Sequence, residues 1–173
     1  MKTIDCSIVT EHIKRMCMEA NFELGQDVRA AFAQARDREE SPLCREVIGL
    51  LIENADIARQ ESIAICQDTG FAVVFVELGN EVGITNGNLI DAINEGVRRG
   101  YAEGYLRKSI CDPFTRKNTG DNTPAVVHVE LTKGDSLKLT LAPKGGGSEN
   151  MSRIAMLKPS QGRQGIIDFV VNT

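Results

Sequence analysis

The sequence predicts an α+β fold, with helices first and a mixed strand-and-helix part after them. Three observations carry that expectation. Apolar residues recur at helical spacing through residues 1–60. From residue 71 the pattern turns strand-like, beginning with the β-branched run "FAVVFVEL". Strands and helices then alternate too irregularly for a regular parallel α/β sheet. The 173 residues are expected to form one domain, 1–173, with a helical part at 1–60 and a mixed α/β part at 61–173.

In the helical part, Val9, Ile13, Met16, Cys17 and Ala20 mark one apolar stripe, and Val28, Ala31, Phe32 and Ala35 mark a second. Ser41 is placed as an N-cap with Pro42 at the first helical position. The stripe that follows runs through Val47, Ile48, Leu51, Ala55 and Ala58. All three stripes are expected to be core. "FAVVFVEL" reads as a strand covered on both faces. Asn88 should cap the next helix, with Ile93, Val97, Tyr101 and Tyr105 down one side. "AVVHVELT" and "SLKLTLA" flank "KGD" and predict a β-hairpin, with Leu137, Leu139 and Leu141 on one face of its second strand. "PKGGGSEN" then predicts a glycine turn entering a helix, with Ser148 as its N-cap. "QGIIDFVVNT" starts another helical pattern, with Asn172 available as a cap. No other capping signal closes that pattern, so the natural chain is expected to continue past Thr173.

Composition narrows the function classes. With 42% hydrophobic and 25% charged residues the chain can bury a core. A net charge of −4, no basic block and no Trp argue against a nucleic-acid partner. No apolar run reaches the roughly 18–20 residues needed to span a bilayer. The N-terminus lacks a signal-peptide core, so a cytoplasmic location is expected. The five cysteines (Cys6, Cys17, Cys44, Cys66 and Cys111) form no CxxC, and their odd number argues against a disulfide framework. Most are expected to be small core residues.

Chemistry concentrates in a few stretches. In "ICQDTG", Cys66 precedes an amide, a carboxylate, a hydroxyl and a glycine. It can be a nucleophile, a metal ligand or a small buried side chain. Gly145, Gly146 and Gly147 let the backbone approach a ligand without a Cβ, and exposed N–H groups there suit an anion. A plain flexible turn accounts for them equally well. "RKNTGDNTPA" packs Asn118, Thr119, Asp121, Asn122 and Thr123 around a glycine, a composition that builds a rigid loop. Arg107 is read as ending a helix, where a cation suits the dipole, but arginine also grips carboxylates in bidentate fashion. His12 falls off the apolar stripe, and His128 alternates onto a polar strand face. A Cys66–His128 nucleophilic pair has no support in local sequence.

Together, "ICQDTG", "NEGVRRGY", "LRKS", "NTGDNTPA" and "PKGGGSENMSRIAMLKPSQG" resemble the α-subunit of the iron–sulfur class I fumarate hydratases and L(+)-tartrate dehydratases, in the family's order and over nearly the whole chain. The resemblance implies a [4Fe–4S] hydro-lyase for a small dicarboxylic acid. In that family three cysteines hold the cluster, and the fourth iron is open as a Lewis acid. Position by position, Cys66 matches the first cluster cysteine. Gln67 and Asp68 match residues lining the substrate and open-iron region, with Asp68 also a candidate catalytic group. Arg107 falls where the family holds a substrate carboxylate, and Gly145, Gly146 and Gly147 match its glycine turn. The other two cluster cysteines lie in segments with no counterpart here, and Cys6, Cys17, Cys44 and Cys111 do not match them. The resemblance therefore implies an N-terminal part of an α-subunit that needs a β-subunit or C-terminal domain. Alone it should hold no stable cluster and show no turnover. Missing partners would leave apolar surface exposed, which also suits a homo-oligomer. Two rival readings stand beside it: a non-catalytic small-anion-binding or assembly module, and a cysteine-dependent enzyme using Cys66 with His128.

Overall fold

A computed structural model describes residues 2–173, apart from the side chains at positions 148 and 149. The fold is α+β, as expected. In chain order its elements are β1 (Lys2–Asp5), α1 (Cys6–Phe22), α2 (Gln26–Arg38), α3 (Pro42–Glu61), β2 (Phe71–Gly79), β3 (Val82–Thr85), α4 (Leu89–Glu103), β4 (Val126–Thr132), β5 (Leu137–Lys144) and α5 (Gly162–Val171). Among the described residues no helix is long and apolar enough to cross a membrane.

The core forms where α1 and α4 pack against one face of a three-stranded sheet. Val9, Ile13 and Cys17 of α1 meet Ile93, Val97 and Tyr101 of α4 over Ala72, Val74 and Val76 of β2. Two glycines bring the helices close. A Cβ at Gly96 would stand 2.6 Å from the Ile13 Cβ and 2.7 Å from the Thr10 carbonyl oxygen. One at Gly100 would stand 2.8 Å from both the Cys17 Cβ and the Lys14 carbonyl oxygen. The Thr10 hydroxyl donates to the Ala92 carbonyl across the same seam, at 3.0 Å. Burial pushes the Cys17 thiol up to about 12, so this cysteine is a small neutral core group. At the solvent edge, Lys14–Glu103 and Arg99–Glu11 pairs bridge the two helices.

Local signals start the helices where expected. The Ser41 hydroxyl accepts from the Cys44 N–H, with Pro42 opening α3. The Asn88 side chain accepts from the N–H groups of Ile90 and Asp91. Asn172 closes α5, with its N–H and its side-chain amide both donating to the Asp168 carbonyl.

Several expectations change in three dimensions. Residues 2–5 are a strand, pairing in parallel with β3, and not part of the helical run. Four residues are too few to display a period. The hairpin is also absent: the sheet order is β4-β2-β5, with β2 parallel to β4 and antiparallel to β5. The "KGD" turn instead wraps the end of β2. Gly79 donates to the Ser136 carbonyl at 2.8 Å and the Gly134 N–H donates to Asn80 Oδ1 at 2.9 Å. A side chain at Gly79 would collide with the Gly134 carbonyl, so glycine permits this crossing. The longest apolar strand thereby takes the centre and gains partners on both edges.

β2 is covered on one face only. Ala72, Val74 and Val76 are buried, while Phe75 on the other face is 47% exposed. Leu137, Leu139 and Leu141 do share the inner face, packed against the core. The α2 stripe is not core, since α2 has no buried residue, and of the α3 stripe only Ala55 and Ala58 are buried. These two helices pack mainly on each other, with Arg29 paired to Asp56. Val47, Leu50 and Leu51 are left outward and exposed. Tyr105 lies beyond the end of α4 with a left-handed backbone (φ 52°) and an exposed ring, so it does not extend the α4 stripe. The glycine turn does not open an α-helix. A 3-10 turn at Ser148–Met151 follows, then irregular backbone on which Ile154 and Met156 are exposed. The expected cap by the Ser148 side chain lies outside the described residues.

The seam between α1 and α4 has a direct test. Gly96→Ala should destabilise the fold by about 1–3 kcal/mol through overpacking. Gly49→Ala, in α3 with nothing within 4 Å of the new methyl, should stabilise by roughly 0.5–1 kcal/mol. Urea-unfolding midpoints of the two variants should therefore move in opposite directions.

Candidate functional site

The site is built from three loops: residues 66–70 before β2, residues 105–111 after α4, and the glycine turn 145–147 after β5. The first loop leaves α3 through Ser62, in a left-handed conformation. It is anchored at Ile65, whose N–H donates to the Asn21 carbonyl and whose carbonyl accepts from the Asn54 side chain. Cys66 is therefore presented on a fixed stem. Its thiol is exposed and donates to Gln67 Oε1 at 3.2 Å.

Gly70 then turns the chain into β2 at φ +64°, with its Cα directly against the backbone of Lys144. Only glycine fits there, because a Cβ would collide with that backbone. This close approach brings the glycine turn beneath Asp68. Asp68 Oδ2 accepts from the Gly146 N–H at 3.0 Å, and its Oδ1 accepts from the Gly70 N–H at 3.1 Å. A Cβ at Gly145 would stand 3.0 Å from Asp68 Oδ2. The Gly146 and Gly70 N–H groups hold the Asp68 carboxyl below its ordinary range, with smaller help from the charges of Arg107 and Lys144. The site thus presents a carboxylate.

Arg107 is exposed and sits in the loop beyond α4, not at the helix end as its sequence suggested. The Thr69 hydroxyl donates to its carbonyl at 3.0 Å. Leu106 beside it is buried and anchors the segment in the core. Tyr101, in the last turn of α4, donates its hydroxyl to the Thr69 carbonyl at 2.8 Å, and burial pushes that phenol well above its ordinary value.

The "RKNTGDNTPA" loop has the rigid, supporting character expected of it. Asn118 donates to the Lys108 carbonyl, Asp121 accepts from the Thr123 N–H and hydroxyl, and Arg98 pairs with Asp121. Its centre is Asn122, fully buried and left-handed at φ 62°. Asn122 Oδ1 accepts from the Ser109 and Ile110 N–H groups at 2.6 and 3.2 Å, and its Nδ2 donates to the Gly70 carbonyl at 3.1 Å. Thr69 and Tyr101 are the supporting residues that local sequence reading misses; for Asn122 it gives the rigid loop but not the bonds to Gly70, Ser109 and Ile110. The one usable signal was an asparagine beside an Asx-type loop, a residue that tolerates the left-handed region.

The remaining candidates fall elsewhere. His128 lies on the outer face of the sheet, its ring stacked on Phe75 at 5.2 Å. His12 is exposed and contacts Arg15. Only Cys6 and Cys17 are buried, so most cysteines are not core as expected: Cys44 and Cys66 are exposed and Cys111 is half-buried. Among the described residues no group of three or more His, Cys, Asp or Glu side chains could hold a metal ion. The site offers one accessible thiol, Cys66, which suits a soft metal centre as a single ligand and needs further donors to complete it.

A family model described as fumarate hydratase (Fumerase) matches residues 10–173. A Methanocaldococcus jannaschii protein, provisionally named an L(+)-tartrate dehydratase subunit alpha, is 33% identical over 171 residues, covering 95% of this chain and 60% of that protein. The L(+)-tartrate dehydratase subunit alpha of Escherichia coli (strain UTI89 / UPEC) is 26% identical over 166 residues, 94% of this chain and 54% of its own length. The aerobic class I fumarate hydratase of Escherichia coli (strain K12) is 34% identical over 134 residues, 73% of this chain and 24% of its own. The chain belongs to the fumarate hydratase (Fumerase) family, and it spans little more than half the length of the two dehydratase subunits.

Asn122→Ala should leave three backbone groups without partners, that of the buried Gly70 and those of the half-buried Ser109 and Ile110. Each such group costs about 1–3 kcal/mol, so a loss of roughly 3 kcal/mol or more is expected in chemical denaturation.

Proposed function

We propose that this chain is the site-bearing part of a hydro-lyase that adds or removes water at a small dicarboxylic acid, fumarate/malate or tartrate, using a [4Fe–4S] cluster. One observation supports the reading: in a chain of this family, the Cys66–Gly70 loop is bonded both to the glycine turn, through Asp68, and to the Arg107 segment, through Thr69. The Asp68 bond to the Gly146 N–H joins the first loop to the last.

In this reading Cys66 supplies one cluster ligand as a thiolate. The other ligands come from outside these 173 residues, from a C-terminal region or a β-subunit, since the described residues present no multi-ligand group. The relatives named as alpha subunits support an assembly with a second subunit. When bound, the cluster's open iron would supply Lewis-acid assistance to the departing hydroxyl.

The chain's own residues do the rest. Arg107 takes a substrate carboxylate, for which its planar fork is suited. Asp68 faces the substrate as a carboxylate and can accept a hydrogen bond from its hydroxyl, with Gln67 beside it as donor or acceptor. The Gly146 N–H is engaged by Asp68, so the glycine turn acts first by orienting that carboxylate and only secondarily as an anion cradle. The base that takes the carbon-bound proton comes from the remainder of the assembly. A pairing of Cys66 with His128 gains no support, because the contacts made by these side chains are to Gln67 and Phe75 respectively.

The test is anaerobic reconstitution of the complete assembly with iron and sulfide. Visible cluster absorbance and hydration of fumarate, or dehydration of tartrate, are the expected results, and Cys66→Ser should abolish both. Retention of cluster and activity by that variant would overturn the ligand assignment. Arg107→Lys should raise KM roughly 10- to 100-fold, the equivalent of losing about 1.5–3 kcal/mol of charged hydrogen bonding, with a smaller effect on kcat.

A further inference from the structure

We propose that Thr69 and Asn122 are positioning residues: they tie the Cys66–Gly70 loop to the 107–110 loop and so set the spacing between Asp68 and Arg107. This inference rests on the functional reading above only for what that spacing serves.

Neither loop belongs to a helix or strand, so neither has a regular ladder to hold it. What joins them is a short polar network. The Thr69 hydroxyl donates to the Arg107 carbonyl at 3.0 Å. One residue further on, the Gly70 carbonyl accepts from Asn122, whose oxygen in turn receives the N–H groups of Ser109 and Ile110. Two side chains thus cross the same gap at adjacent positions, one directly and one as a bridge. Two points of attachment suppress rotation of the Arg107 segment as well as its displacement.

Burial makes the tie matter. Thr69 is 3% exposed and Asn122 fully buried, so water does not readily replace a lost bond. A fully satisfied polar network in such surroundings rigidifies what it joins. Both ends are anchored independently. Tyr101 holds the Thr69 carbonyl from α4, and the Asp121–Arg98 pair holds the Asn122 loop to the same helix. Asp68 is fixed from the opposite side by Gly70 and Gly146. With the tie in place, the carboxylate and the guanidinium-bearing segment share one rigid frame, which suits a ligand offering a hydroxyl and a carboxylate a fixed number of bonds apart. A displacement of about 1 Å in such an arrangement is enough to cost two orders of magnitude in rate.

Thr69→Val keeps the shape and removes only the donor; Thr69→Ser restores it. Backbone order parameters from 15N relaxation of the chain should show residues 107–110 rigid in the wild type, near 0.85, and loosened toward about 0.6 in Thr69→Val, with recovery in Thr69→Ser. In the reconstituted assembly Thr69→Val should raise KM for the dicarboxylate about tenfold while kcat changes less than about threefold. If Thr69→Val fails to fold, Thr69→Ala, which removes the same donor without setting a new methyl against the Arg107 carbonyl, reads out the same loop. A loop that stays rigid in the folded variants overturns the tie, and a loosened loop with unchanged KM overturns its role in positioning Arg107. A loosened loop in a protein whose wild-type assembly lacks hydro-lyase activity upholds the tie and overturns the functional reading instead.

Discussion

Two loops of the candidate site are referred back to the close contact of α1 and α4. Gly96 and Gly100 let α4 settle against Ile13 and Cys17 with no intervening side chain. That seating places Tyr101 in the core with its hydroxyl at the Thr69 carbonyl. It also fixes Asn94 and Arg98, which hold the Ala125 N–H and Asp121 on either side of Asn122. One helix therefore carries the supports of two site loops. A shift of its axis would move both together, preserving their relation while changing their place over the sheet.

The electrostatics of the site follow from backbone geometry more than from side-chain charge. Asp68 is kept ionised chiefly by two N–H groups, with the Arg107 and Lys144 charges contributing less. Dipoles fixed in a turn do not need to reorganise, and salt screens them less than it screens mobile lysine or arginine side chains. The glycines matter for the same reason. Gly70 permits the strand-to-turn contact, and the missing side chain at Gly145 leaves the carboxylate room to sit over the turn.

How much of this was legible in the sequence divides along a physical line. Features that act within a few residues were visible: the Ser41 and Asn88 caps, most of the α1 and α4 stripes, the inner leucines of β5 and the polar rigidity of residues 116–125. Pairing was not. "KGD" between two strands looks like a hairpin because adjacent strands usually pair. Nothing local reveals that β2 will insert between them, and only Gly79 hints at the crossing. Amphipathic spacing marked α2 and α3 as apolar-faced but could not tell a buried face from an exposed one. The supports of the site were hidden for a related reason. Thr69, Tyr101 and Asn122 act across separations of 12 to 52 residues, and each has an unremarkable local role as loop residue or helix stripe.

The central position of β2 has a consequence for biosynthesis. Its neighbours on both edges lie downstream, in residues 126–144, so the strand leaves the ribosome well before either exists. At translation speeds of about 5–20 residues per second, the intervening stretch takes on the order of 3–13 s to appear. Through that interval a run of valines and phenylalanines has only the nascent helices for cover. The nascent polypeptide is most in need of a chaperone over this segment, before two of the three loops of the candidate site have been made.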